Sequence, residues 1–255
     1  MIRLTRLPFL AVLALATGLA AATPSAAQDL PPAQEIIDRY VEAIGGREAA
    51  VASVATRSSG SFAIPAMGVT GDLVSVDTPD GATAMRVTIP GMGDMLSGYT
   101  GEVGWSTDPM TGPRLLDGGE LDAMREQADP LYAVRDASLF ESFETTGEDS
   151  YDDEACWVVQ FVWSSGRETT ECFSKESGLA IAQITAQESP MGTVDVTSRL
   201  SDYQRFGDVL VATTVRQSMM GQEQVLQITE VEFGDVDQSL LEVPEAIKTL
   251  IEAGN

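Results

Sequence analysis

Carboxylates are the most abundant side chains in this sequence that could act as acids or bases. The 255 residues include 39 Asp and Glu, 15 Lys and Arg, and no histidine. Without histidine, a Ser-His-Asp or Cys-His arrangement is impossible and the commonest zinc ligand is missing. A pair of acids could still serve a glycosidase, but so many acids form pairs by chance. We therefore expect no catalytic residues, no metal and no cofactor.

Two cysteines are the next candidates for chemistry. Cys156 and Cys172 flank the run "WVVQFVWSSGRETTE", which is typical of a strand, a Ser-Gly turn and a second strand. A hairpin centred near Ser164 would place them opposite each other, so we predict a structural disulfide. A redox pair is the alternative, but it would be expected at Cys-x-x-Cys spacing.

Methionines occupy positions where turns are expected. Met-Gly occurs four times, each time between segments that resemble strands. Methionine is flexible and polarisable, so it adapts to apolar ligands of varied shape. Two interpretations stay open, since these side chains could surround the mouth of a cavity or fold back and fill the ends of a barrel. Ligation of Cu(I) is chemically allowed, but the single Met-x-x-Met spacing, Met92 to Met95, is not repeated in the sequence.

The N-terminal residues indicate export from the cytoplasm. Arg3 and Arg6 precede the apolar run Leu7–Ala22, and small residues end it before Gln28. This pattern predicts a signal peptide over residues 1–27 and a periplasmic location. No cysteine lies at the cleavage point, so a lipid anchor is not expected. No other stretch is long and apolar enough to span a bilayer.

The charge of the chain excludes several partners. Removal of the signal peptide would remove two basic residues and no acidic ones, which leaves 228 residues with a net charge of −26. Such a surface disfavours nucleic acid and anionic lipid surfaces. We interpret the acidity as a source of solubility, with an acidic recognition surface as the alternative. We expect a monomer.

The spacing of apolar residues predicts an α+β fold in one domain, residues 28–255. A helix is expected at Gln34–Gly45, where a Gly-Gly pair ends it, and another at Glu120–Val134, which Pro130 could kink or split. From Thr56 onward most segments alternate with a period of two, as in antiparallel strands. A twisted sheet of about ten strands tends to curl, so helices or a ligand must fill its concave face.

Four segments of the sequence resemble bacterial outer-membrane lipoprotein-sorting proteins of the LolA/LolB-like superfamily. They are "EIIDRYVEAIGG", "GYTGEVGWSTDPMTGPRLLDGGEL", "ECFSKESGLAI" and "LSDYQRFGDVLVATTVRQ". The resemblance covers nearly all of residues 28–255. It implies a curled antiparallel sheet that forms an open, half β-barrel, capped by helices on its concave side. The helices at Gln34–Gly45 and Glu120–Val134 would form a lid over a cavity for acyl chains.

We therefore predict a non-catalytic periplasmic carrier that binds acyl chains of a lipoprotein or lipid in an apolar cavity. Envelope proteins would act as its donor and acceptor. The alternative is an envelope protein-interaction module of the same fold, with a core filled by its own side chains. The residues expected at the rim or in the lining of the cavity are Met67, Met92, Met95, Met191, Met219, Met220, Trp105 and Trp163.

Overall fold

The computed structural model describes residues 30–189, 192–235 and 237–254, so the predicted signal peptide lies outside it. Its helices are α1 Ala33–Ala43, α2 Arg47–Ala52, α3 Gly118–Ala128 and α4 Glu245–Gly254. Short 3-10 turns cover Pro65–Met67, Tyr132–Val134, Ala137–Leu139 and Ser239–Leu241. Within the described residues, no helix has both the length and the apolar character needed to cross a membrane.

Thirteen strands make up the rest of the regular structure in the described residues. They are β1 Thr56–Ile64, β2 Val69–Asp77, β3 Thr83–Ile89, β4 Gly93–Tyr99, β5 Gly104–Asp108, β6 Gly112–Leu115, β7 Phe140–Tyr151, β8 Glu154–Trp163, β9 Glu168–Ser174, β10 Ala180–Ser189, β11 Gly192–Phe206, β12 Val209–Met219 and β13 Gln222–Phe233.

All thirteen strands belong to one antiparallel sheet in the order β6-β5-β4-β3-β2-β1-β13-β12-β11-β10-β9-β8-β7. In the part of the chain that is described, the two edge strands β6 and β7 do not pair, so the sheet is curled but open. The predicted fold class, an α+β half-barrel, is confirmed. The sheet has thirteen strands rather than the expected ten or so, because short glycine-containing segments also pair.

Helix α1 fills one end of the concave face. Its apolar residues Ile36, Ile37 and Tyr40 lie on one side of the helix and are buried in the same cluster as Val159 and Phe173. Strand β8 follows the period of two expected from Thr56 onward, since Trp157, Val159, Phe161 and Trp163 all belong to this inward-facing cluster.

Gly45 ends the segment after α1 for a steric reason. Its φ is +120°, and an added Cβ would lie 2.2 Å from the carbonyl oxygen of Asp208. The amide of Leu210 donates to the carbonyl of Ile44 at 2.8 Å, which ties the end of α1 to the β11–β12 turn. The predicted glycine stop is therefore also a packing contact.

The second predicted helix is split at Pro130, as expected. Helix α3 ends at Ala128, Asp129 takes an extended conformation, and a 3-10 turn follows at Tyr132–Val134. Proline lacks an amide hydrogen and disfavours a helical residue before it, which accounts for the break.

The predicted disulfide between Cys156 and Cys172 is confirmed, with a Cα–Cα distance of 5.5 Å. The two cysteines are not directly opposite, however, because Cys156 pairs with Ser174 and Cys172 with Val158. The disulfide thus joins diagonal positions on the outer face of the β8–β9 hairpin, whose centre lies one residue beyond Ser164.

Candidate functional site

A cavity of about 660 Å³ lies between α3 and the concave face of the sheet. Helix α3 crosses this face because it follows β6 at one edge of the sheet and reaches the β8–β9 turn near the other edge. Ala123, Met124 and Gln127 of α3 form one wall of the cavity. Strands β4–β6 and β10–β12 form two further walls, so the curl of the sheet brings distant strands to one site.

Hydrogen-bonding side chains line much of the sheet side of this cavity. Gln183, Ser198 and Gln217 are register partners on β10, β11 and β12, and we call them the glutamine row. Ser97 and Ser106 are partners on β4 and β5, and we call them the serine row. Paired residues in a sheet point to the same face, so each row forms a continuous polar strip.

The lining differs from the apolar cavity that the sequence predicts. Leu116, Met124 and Val196 supply apolar surface, but the two polar rows supply hydroxyl and amide groups between them. Inward positions are fixed by strand register, and a shift of one residue exchanges the two faces, so the sequence alone did not identify these polar positions.

Two ion pairs hold α3 over the cavity. Near its start, Arg114 of β6 donates two hydrogen bonds to Glu120, at 2.5 and 2.9 Å, which lowers the pKa of Glu120. Near its end, Nε of Arg167 donates to Glu126 at 2.9 Å, and the hydroxyl of Ser165 donates to the other oxygen of Glu126. Ala128 is the one fully buried residue of α3, so these polar contacts provide much of the interaction that holds α3 against the sheet.

A buried ion pair lies behind the glutamine row. Arg135 and Glu171 are 7% and 1% exposed, and three hydrogen bonds of 3.0–3.1 Å join the guanidinium to the carboxylate. The guanidinium also lies 4.3 Å from the ring centre of Tyr132 and 5.3 Å from that of Tyr40. Burial disfavours the charged guanidinium, but Glu171, Tyr40 and Tyr132 together outweigh this and the pKa of Arg135 is raised well above its usual value.

This pair is connected to the cavity through Gln183. The amide nitrogen of Gln183 donates to the hydroxyl of Tyr132 at 3.0 Å and approaches Glu171 at 3.3 Å. Sequence reasoning missed both charged residues. The available signal was Glu171 itself, an acid at an inward position of β9 two residues from buried Phe173.

A second cavity of about 310 Å³ continues from the first along β3–β6. The two share Ser97, Ser106 and Arg114 in their linings. Met85, Val87 and Met95 line the second cavity, and Val87 and Met95 belong to an apolar cluster with Phe62, Leu73, Ile89 and Leu226. The site therefore has a polar part under α3 and an apolar part beside it.

Comparisons with known proteins show which solved structures this fold resembles. No family model and no curated protein matches the sequence. The structure is similar to that of a LolA superfamily protein from Nitrosomonas europaea, with a TM-score of 0.54, 13% identity, and coverage of 84% of this chain and 98% of that one. This chain has a LolA-like fold. It is also similar to a DUF1329 family protein from Desulfovibrio piger, with a TM-score of 0.54, 14% identity, and coverage of 83% and 97%.

In this LolA-like sheet, the turns that carry methionines lie at the same end of the strands. Successive turns of an antiparallel sheet lie at opposite ends, and the turns β1–β2, β3–β4, β5–β6 and β12–β13 all fall at one of them. They carry Met67, Met92, Met110 and Met220, and all four side chains are exposed. Met110, the most exposed at 82%, was not among the predicted site residues.

The remaining predicted site residues lie at different depths. Met95 is half-buried and lines the second cavity, while Met219 is the register partner of the cavity residue Val196. Trp163 is buried but forms part of a third cavity of about 360 Å³ beside α3. Trp105 is buried against Gly98 and lines none of these three cavities. Met191 lies outside the described residues. The binding role of the whole set stays a prediction.

Proposed function

We propose that this protein is a non-catalytic periplasmic carrier that holds acyl chains of a lipoprotein or lipid in the cavities on the concave face of its sheet. The observation that carries the proposal is the pair of connected cavities on the concave face of a LolA-like sheet. A volume of about 660 Å³ falls in the range of ligand sites in proteins. The disulfide and the predicted signal peptide support an oxidising compartment outside the cytoplasm.

Burial of apolar surface would drive binding of the acyl part. Each buried methylene contributes about 0.8 kcal/mol, so a chain lying along Met85, Val87 and Met95 would gain affinity with length. Methionine suits this surface because it adapts to a flexible chain.

The charged groups in the cavity support binding rather than catalysis. Glu120 is bonded to Arg114, and Glu168 accepts a hydrogen bond from Gln160 at 3.0 Å. These are the two carboxylates among the described lining residues of the main cavity. Each already has a partner, and the hydrogen bonds from Arg114 lower the pKa of Glu120, which favours its charged form over the neutral form that a general acid requires.

The test is native mass spectrometry of protein purified from the periplasm, followed by lipid extraction. We expect a bound lipid or acylated peptide in the natural protein and its loss in Met95→Asp, since a charge in the apolar cavity is costly. Met110→Asp is the matched control, because Met110 is 82% exposed at a turn and its replacement should not affect the bound mass. Met95→Gln, which is uncharged, checks that any loss does not come from unfolding.

An unliganded mass that also fails to take up added lipopeptide or fatty acid would exclude the carrier function. The alternative function, a protein-interaction module, would then be favoured. One feature supports it, because four exposed methionines lie at the same end of the strands: Met67, Met92, Met110 and Met220. Exposed apolar side chains at the same end of the strands offer a surface that a partner protein could cover.

A further inference from the structure

We propose that the ligand is an amphiphile with an uncharged, hydrogen-bonding head group, and that this head group binds between the glutamine row and the serine row. The inference rests on the proposed carrier function and specifies its ligand class. Hydroxyl-rich or amide-rich head groups share the required chemistry, while phosphate and carboxylate head groups do not.

The polar rows supply the first part of the case. Gln183, Ser198 and Gln217 on one wall and Ser97 and Ser106 on another present amide and hydroxyl groups to one cavity. An alkyl chain covering these hydroxyl and amide groups would offer them no hydrogen-bond partner in place of water, which disfavours its binding. A head group with its own donors and acceptors would satisfy them, so the lining selects against a purely apolar occupant.

The charges around the cavity supply the second part. The positive groups next to it are already paired, Arg114 with Glu120 and Arg167 with Glu126, and behind the glutamine row Arg135 is paired with Glu171. An anionic head group would have to break one of these pairs or remain uncompensated. The net charge of the chain, −24 over the full sequence, adds a long-range repulsion against anions.

The arrangement of the two cavities supplies the third part. The polar cavity under α3 and the apolar cavity lined by Met85, Val87 and Met95 share the serine row. A ligand with its head under α3 would therefore have its tail directed along β3 and β4 toward the β3–β4 turn, which carries Met92. This polarity matches an amphiphile and fixes its orientation.

The experiment compares monomeric amphiphiles that share a dodecyl tail, using isothermal titration calorimetry below their critical micelle concentrations. The probes are dodecyl maltoside, an uncharged N-dodecanoyl dipeptide amide, dodecanoate and dodecyl phosphate. We expect at least one uncharged probe to bind about ten-fold more tightly than both anions, the equivalent of one or two hydrogen bonds. The uncharged probe that binds more tightly shows whether the natural head group is a sugar or a peptide amide.

The variant Ser198→Val with Gln217→Leu tests the location of the head group. We expect it to abolish the preference for uncharged probes while dodecanoate binds as before or more tightly. Ser218→Val is the matched control, since Ser218 is exposed on the opposite face of β12. Anions that bind as tightly as uncharged probes, or a preference that survives the double variant, would overturn this inference and leave the carrier function standing. Absence of binding by all four probes would overturn both.

Discussion

Among single residues, Arg135 and Glu171 have the largest expected effect on stability. Desolvation of two charges opposes folding, and the three hydrogen bonds between them offset it. We expect Glu171→Gln to lower the free energy of unfolding by about 3–5 kcal/mol, because it leaves a buried guanidinium without a counter-charge. Urea unfolding followed by tryptophan fluorescence measures the change.

The matched control for this effect is Arg216→Met, which removes an exposed ion pair to Glu223. Its expected cost is below about 1 kcal/mol. The double variant Arg135→Met with Glu171→Leu should recover most of the lost stability, since an apolar pair of similar size avoids desolvation. Equal costs for Glu171→Gln and Arg216→Met would show that the pair is well hydrated and not buried as described.

Asp136 provides a pH-dependent contribution. Hydrogen bonds from Ser138, then from Arg47, lower its pKa from 3.8 to about 2. Because the folded pKa lies below the unfolded pKa, the stabilisation is complete above about pH 4 and is lost as the pH falls toward 2. We expect Asp136→Asn to cost about 1 kcal/mol at pH 6, allowing for the partial exposure of the ion pair. The difference from the natural protein should shrink as the pH falls and disappear only below pH 2, as measured by urea unfolding across this range, and a difference independent of pH would contradict the assignment.

The disulfide was predicted from the sequence and the buried ion pair was not, because the first depends on local geometry and the second on contacts between distant elements. The cysteine pair was predictable because both residues lie on one hairpin, whose geometry is local. Arg135 and Glu171 lie 36 residues apart on different elements, and their contact depends on how β9 faces the turn after α3. No local pattern contains that information, although an inward-facing acid in β9 could have raised the question.

At the level of elements, the weak apolar packing of α3 is the feature with dynamic consequences. Helix α1 buries four residues, whereas α3 buries one and is fastened by Glu120 and Glu126. Loss of both ion pairs should lower the free energy of local opening by about 1.5–2 kcal/mol. We expect Glu120→Gln with Glu126→Gln to speed amide hydrogen exchange of α3 by about 10- to 30-fold, while exchange in β8 and β9 stays unchanged.

Asp122→Asn is the control for this element, because Asp122 and its ion-pair partner Arg125 both lie within α3. It should leave the exchange of α3 within about two-fold of the natural protein. Faster exchange throughout the sheet in the double glutamine variant would mean that α3 is part of the cooperative core. It would then not open separately over the cavity.

The elements themselves were largely predictable. The 3.6-residue spacing of Ile36, Ile37 and Tyr40 defined α1, and Pro130 defined the break after α3. Strand number was underestimated because β5 and β6 are short, and glycines at their ends resemble loops.

At the level of the whole molecule, the sequence predicted an open curled sheet but not which side chains line it. The polar cavity forms because β4–β6 and β10–β12, far apart in the strand order, approach each other across α3. Strand pairing in each hairpin is local, but the meeting of two distant parts of one sheet depends on its accumulated twist. The serine and glutamine rows therefore became visible only with the register.

Salt should affect the whole molecule and α3 in opposite directions. The chain carries 39 acidic and 15 basic residues, so self-repulsion destabilises its compact state, and screening at 0.3 M NaCl should raise the melting temperature by about 3 °C over 0.02 M. The same screening weakens the ion pairs of α3, so its amide exchange should become faster. In Glu120→Gln with Glu126→Gln this local response should disappear while the rise in melting temperature remains. A melting temperature that falls with salt would instead show that ion pairs outweigh repulsion throughout the fold, and α3 would then differ from the rest of the protein only in degree.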